Sequence, residues 1–146
     1  MRKFGGILAL SLGLITAASA APDMVSIGRA EVNMRAGAST KHETLWRLGQ
    51  GYPLAVLETQ GRWIKVRDFE RDVGWVYRPL TSRTAHHIVK ARVANVRKAP
   101  SLNARIVGKA EYGDVLRTLE RRKGWVKVRH EDGFSGWVSK TLLWGW

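Results

Sequence analysis

The segment Trp63-Ile64-Lys65-Val66-Arg67 returns 62 residues later as Trp125-Val126-Lys127-Val128-Arg129. The same offset holds without a gap through the flanking chain. It carries Asn33 onto Asn95, Arg35 onto Arg97, Ser39 onto Ser101 and Gly51 onto Gly113. Leu54, Leu57 and Glu58 fall on Leu116, Leu119 and Glu120, Gly74-Trp75-Val76 on Gly136-Trp137-Val138, and Leu80 on Leu142. An ungapped repeat with tryptophan and glycine in register restricts the chain to one small fold used twice.

The N-terminus stands outside the repeat. Arg2 and Lys3 precede an apolar run from Gly5 to Ile15, and Ala18-Ser19-Ala20 offers the small residues of a cleavage site. Residues 1–20 therefore read as a secretory signal peptide, cut after Ala20. A membrane anchor is the alternative, but Gly6, Ser11 and Gly13 dilute a stretch already short of the ~20 residues a span needs. The remainder divides into units 22–82 and 86–146. Units of about 60 residues bury too little surface to be robust alone, and with no cysteine they have no disulfide to help. Stability is left to aromatic-rich cores, for which the chain has seven tryptophans, and to contact between the units.

The pattern within each repeat is all-β. Met24 to Arg35 alternates as one strand, with Val32 and Met34 on one face. Leu45 to Leu48, Pro53 to Glu58, Trp63 to Asp68 and Val73 to Tyr77 supply the others, separated by glycine-marked turns. Leu54 and Leu57 lie three apart, as do Leu116 and Leu119, so a regular strand sends each pair to opposite faces. A strand buried on both sides would explain this, but a bulge is favoured, because small barrels bend at bulges. No window carries capped apolar residues at helical spacing. The join, Thr81 to His86, is short and lacks Pro and Gly, which predicts two barrels held close.

These residues are similar to a known family. Asn-x-Arg, a serine-containing loop, a glycine turn, Trp-x-Lys-Val-Arg, Gly-Trp-Val and a closing leucine resemble the bacterial SH3-type (SH3b) domain in both copies. The ending Leu142-Leu143-Trp144-Gly145-Trp146 is similar to small secreted proteobacterial proteins built of two such domains. The resemblance implies a five-stranded SH3-like barrel in each half. It also implies a role outside the cytoplasm, usually attachment to peptidoglycan or another envelope component, often as a targeting module beside a hydrolase. No hydrolase domain stands in this chain.

Chemistry has little material here. Without cysteine, a Cys/His peptidase is excluded, and His42, His86, His87 and His130 show no metal-site spacing. His86 and His87 read as solvated linker residues, and Asp68, Glu70 and Asp72 as a solvated turn. No cofactor is expected, and the chain reads as non-enzymatic. Binding has better material. Period two turns Val126 and Val128 inward and sets Trp125, Lys127 and Arg129 on the other face, as it does Trp63, Lys65 and Arg67. An indole beside cations suits a sugar ring that carries carboxylates. Arg121 and Arg122 add charge in the second copy. Trp46 and Tyr52 lack aromatic counterparts and could mark a groove of the first copy. The alternative is that each tryptophan covers a barrel end or the neighbouring barrel. Trp75 and Trp137 read as core or barrel-closing, Asn33, Arg35, Asn95 and Arg97 as holding loops, and Trp144 and Trp146 as packing at the junction.

After removal of the signal the chain holds 23 basic and 12 acidic residues, with 13 and 5 of them beyond Arg83. Such an excess concentrates anions. Nucleic acid is the usual partner of so basic a chain and would give a steep salt slope. Export to the periplasm argues against it and for an anionic envelope polymer, peptidoglycan foremost. A protein-interaction adaptor, docking peptides or an envelope enzyme in a groove of Trp46, Tyr52 and Trp63, is the rival.

Overall fold

A computed structural model describes residues 21–146; the expected signal peptide lies outside them. Among these residues the chain is nearly all strand. The first half holds β1 (Asp23–Ile27), β2 (Glu31–Arg35), β3 (Thr44–Gly49), β4 (Pro53–Gln60), β5 (Trp63–Arg67), β6 (Val73–Tyr77) and β7 (Thr81–Ser82). The second holds β8 (His86–Val89), β9 (Val93–Arg97), β10 (Ile106–Glu111), β11 (Val115–Arg122), β12 (Trp125–Arg129), β13 (Ser135–Ser139) and β14 (Leu143–Gly145). Among the described residues the only helical ones are single 3₁₀ turns at Arg78–Leu80 and Lys140–Leu142. No helix among the described residues is long and apolar enough to cross a membrane.

The all-β duplicated fold is as expected, but each sheet has seven strands where five were read from the sequence. Met24 to Arg35 is not one strand. Gly28 sits against the Leu80 carbonyl, to which its N–H donates at 2.8 Å, and the chain bends there between β1 and β2. The 3₁₀ turn after β6 then returns β7 to pair with β1. The strand orders are β3-β2-β6-β5-β4-β1-β7 and β10-β9-β13-β12-β11-β8-β14, antiparallel throughout. Each sheet curls tightly where β2 meets β6, and β9 meets β13, through one residue pair: Arg35 with Trp75, and Arg97 with Trp137.

Alternation explains what each strand buries. Ile64, Val66 and Val76 fill the first core with Val25, Ile27, Met34 and Leu54. Val126, Val128 and Val138 fill the second with Val89, Val96 and Leu116. The two cores are separate clusters. The bulge expected from the leucine spacing is present in both copies, between Val56 and Glu58 and between Thr118 and Glu120. It absorbs Leu57 and Leu119 and leaves them exposed, while Leu54 and Leu116 are fully buried.

The units touch. Ser26 Oγ donates to the Thr84 carbonyl at 2.8 Å, tying the join to β1. Phe69 of the first unit lies 5.3 Å from Tyr112 of the second, and the Tyr112 hydroxyl donates to Glu70. Trp144 on β14 sits opposite Ile88 in a strand that approaches β4 of the first unit, so the C-terminal tryptophan segment does lie at the junction. His87 corrects the linker reading. It is buried on β8, its Nδ1 2.7 Å from Thr118 Oγ1, because β8 is an interior strand and not a tether.

Candidate functional site

The outer face of β5 is built as its alternation requires. Ile64 and Val66 point inward and are fully buried, so Trp63, Lys65 and Arg67 share the opposite face, each half-buried. Their partners on β6 are Tyr77, Trp75 and Val73. Trp63 and Tyr77 are cross-strand neighbours with ring centroids 5.3 Å apart at 54°, a tilted pairing that aromatic quadrupoles favour. The Arg62 guanidinium lies 5.5 Å from the Tyr77 ring centre.

These rings form one wall of a groove of about 420 Å³. Asn33, Arg35, Ser39 and Thr40 supply its polar lining, and Val32 and Leu80 complete it. The polar lining is held in shape by Arg35, whose Nη1 donates to the carbonyls of Thr40 at 3.3 Å and His42 at 3.0 Å. Arg97 repeats this with the Ala104 carbonyl at 3.0 Å. The loop-holding role read for the two arginines is therefore present, whereas Asn33 faces the groove.

The structure brings only Trp63 of the expected residues into this groove. Lys65 is on the same face but pairs with Glu58 at 3.4 Å. Trp46 lies apart on edge strand β3, 54% exposed. Tyr52 packs on the first core and donates its hydroxyl to Asp68 Oδ2 at 3.0 Å. The expected groove of Trp46, Tyr52 and Trp63 is not formed. In the second copy Trp125, Lys127 and Arg129 again share one face, but Trp125 sits opposite Ser139, where the first copy has Tyr77. Arg122 lies 4.9 Å over the ring of Trp137, which is 5% exposed, and bonds Glu120 at 2.8 Å. Arg122 thus roofs an indole, and Arg121 remains exposed. Trp75 and Trp137 sit on the outer face, while the neighbouring valines fill the core. Tyr77 was missed by reading the repeat, because residues without a counterpart drop out of a self-comparison. Strand pairing from Trp63 is the signal that finds it.

The β5–β6 turn corrects a second expectation. Asp68 is buried, not solvated. Its Oδ1 accepts from the backbone N–H groups of Glu70 and Asp72, both at 2.9 Å, while Oδ2 takes the Tyr52 hydroxyl. Although Asp68, Glu70 and Asp72 bring carboxylate oxygens within 4.8 Å of one another, Asp68 is committed to the turn and Glu70 to Tyr112. Burial first, then the Asp68 charge, raises the Tyr52 pKa, so the phenol stays a donor. The second copy holds the same turn with reversed chemistry: Asp114 stands for Tyr52 and His130 for Asp68. His130 Nε2 lies 3.1 Å from Asp114 Oδ2, and the Asp132 N–H donates to His130 Nδ1 at 3.0 Å. Phe134 stacks on His130 at 4.6 Å and covers Gly108, the position Trp46 holds in the first copy. We expect Tyr52→Phe to cost about 1 kcal/mol in urea unfolding, the net value of one hydrogen bond. An unchanged midpoint would show that backbone bonds alone hold the turn.

"Putative N-acetylmuramoyl-L-alanine amidase YrvJ" of Bacillus subtilis (strain 168) is 20% identical over 136 residues, covering 86% of this chain and 26% of that protein. NlpC1 from Trichomonas vaginalis is 14% identical with a TM-score of 0.40, covering 88% of this chain and 47% of that one. An NlpC/P60 family protein from Bacillus cereus ATCC 10987 is 14% identical with a TM-score of 0.36, covering 84% and 56%. The chain thus spans about a quarter of the curated relative. Two family profiles, each described as a bacterial SH3 domain, match residues 28–83 and 92–143. With both repeats matched, the chain belongs to the bacterial SH3 domain family and carries two such domains in tandem.

Proposed function

We propose that this is an exported, non-enzymatic protein that binds an anionic envelope polymer, peptidoglycan foremost, in the groove of its first domain. The observation that carries the reading is one groove lined by the paired rings of Trp63 and Tyr77 together with Arg35, Ser39 and Thr40. A sugar ring packs its C–H face on an indole, and hydroxyl and amide groups of the polymer meet the polar lining. The basic excess holds the polymer near the surface in a salt-dependent way. The amidase name of the curated relative agrees with a wall substrate.

The test is sedimentation with purified peptidoglycan at low and moderate salt. Wild-type protein is expected to be retained, less so as salt rises. Trp63→Ala should weaken retention about 30-fold, or about 2 kcal/mol, as for a buried aromatic anchor. Failure of folded wild-type protein to sediment at either salt overturns the reading. Edge strand β3, with Leu45 and Trp46 exposed, supports a second one: an adaptor that adds a partner strand to this edge. Its binding would resist salt and respond to Trp46→Ala instead of Trp63→Ala.

A further inference from the structure

A second depression, of about 650 Å³, lies where the domains meet. The Gly49-Gln50 turn of the first domain and His86, Arg117, Arg129 and Glu131 of the second line it. The glycine turn of the first domain makes this approach possible. Gly51, at φ 85°, presents its backbone to the His86 ring so closely that a Cβ would stand 2.9 Å from it.

Arg117 and Arg129 are direct cross-strand partners on β11 and β12. Like charges at such positions repel, and the first domain avoids the clash by having Ala55 opposite Arg67. Neither guanidinium of the second domain forms an ion pair among the described residues. Two adjacent unpaired guanidiniums are complementary to one carboxylate. Asp114 also lines the cleft but pairs with neither arginine; its Oδ2 accepts from the Glu111 N–H at 2.8 Å and lies 3.1 Å from His130 Nε2. Glu131 is exposed at the same cleft and bonds no cation there. His86 is held by the Thr84 carbonyl at 2.9 Å, and burial lowers its pKa, with the Arg117 charge acting in the same sense.

We infer that this cleft binds a zwitterionic short peptide, with its carboxylate between Arg117 and Arg129 and its ammonium group facing Glu131. Glu131 adds a contact that only a ligand with an ammonium group can use, so such a ligand is favoured over a plain anion such as phosphate. This site is separate from the Trp63 groove and stands whether or not that groove binds sugar.

The test is an NMR titration of the full-length protein with alanylalanine, N-acetylalanine, alaninamide and inorganic phosphate. Alanylalanine is expected to move the amides of Gly49, Gln50 and Gly113, N-acetylalanine to do so more weakly, and alaninamide not at all. Arg117→Ala installs the residue the first domain already has at that place, so folding is retained. It should weaken alanylalanine about tenfold while leaving the melting temperature unchanged or higher. Glu131→Gln should reduce alanylalanine to the affinity of N-acetylalanine. The inference is overturned if no ligand moves these amides, if phosphate or alaninamide binds as well as alanylalanine, or if Arg117→Ala binds it undiminished. Retention of Trp63→Ala on peptidoglycan is a separate readout, so the two readings fail separately.

Discussion

Gly136→Ala is expected to destabilise the second domain by about 3 kcal/mol, the upper end for overpacking a tight interior. A Cβ at this position would stand 2.5 Å from the Arg97 carbonyl oxygen and 2.9 Å from Val96 Cγ1. The first atom is backbone, and it cannot move without breaking the single residue pair that joins β9 to β13. This explains the glycine of Gly-Trp-Val in physical terms: the neighbouring strand's backbone comes so close there that no room is left for a side chain. The equivalent Gly74 is less confined, with Met34 Cγ at 2.6 Å and the Arg35 carbonyl at 3.0 Å. Methionine adapts its rotamer readily, so Gly74→Ala should cost roughly half as much. Urea unfolding of both variants checks the ranking. Equal losses, or none at Gly136, would contradict the account of this close approach.

Acid is expected to weaken the fold over a defined window, through His87. Burial lowers its pKa to about 4, from an ordinary value of 6.5, and the Trp146 backbone pulling the other way only partly offsets this. Above pH 6.5 the ring is neutral in both folded and unfolded chains, and stability is full. As pH falls, the unfolded chain takes up a proton that the folded state refuses, so unfolding becomes easier. The loss grows until pH reaches about 4 and then levels at about 3 kcal/mol. His86, lowered for the same chief reason, acts in the same direction. Urea midpoints at pH 7.5, 5.5 and 4.5 measure the slope, and His87→Gln removes this contribution while leaving the other titrating groups. If the variant follows the wild-type curve, His87 is not the cause.

How much of this could be read from residues alone depends on whether the signal is local. The duplication was legible because tryptophan and glycine recur at fixed places, and the inward valines because alternation is a property of each strand. The bulge was legible from two leucines three apart, although its outcome, Leu57 and Leu119 exposed, depends on which residue the register skips. The break at Gly28 was not legible, since alternation runs on through it and the cause, the Leu80 carbonyl, is remote in sequence. His87 misled for the same reason: Thr118 on β11 and Gly145 on β14, both remote in sequence, lie against it. The turn locks escaped because Tyr52 with Asp68 and Asp114 with His130 changed together, and a search for identities discards such pairs. Of the site, Trp63 was visible from its strand and Tyr77 only from the pairing of that strand.

Each domain closes its sheet by returning its last strand to its first, β7 to β1 and β14 to β8. Entry and exit of the chain therefore lie side by side, and no other part of the domain has to be threaded to join a further copy. A gene segment for such a unit can be copied in tandem and the product will still fold locally. The two copies can then diverge, as the exchanged turn locks and the arginine at position 117 show.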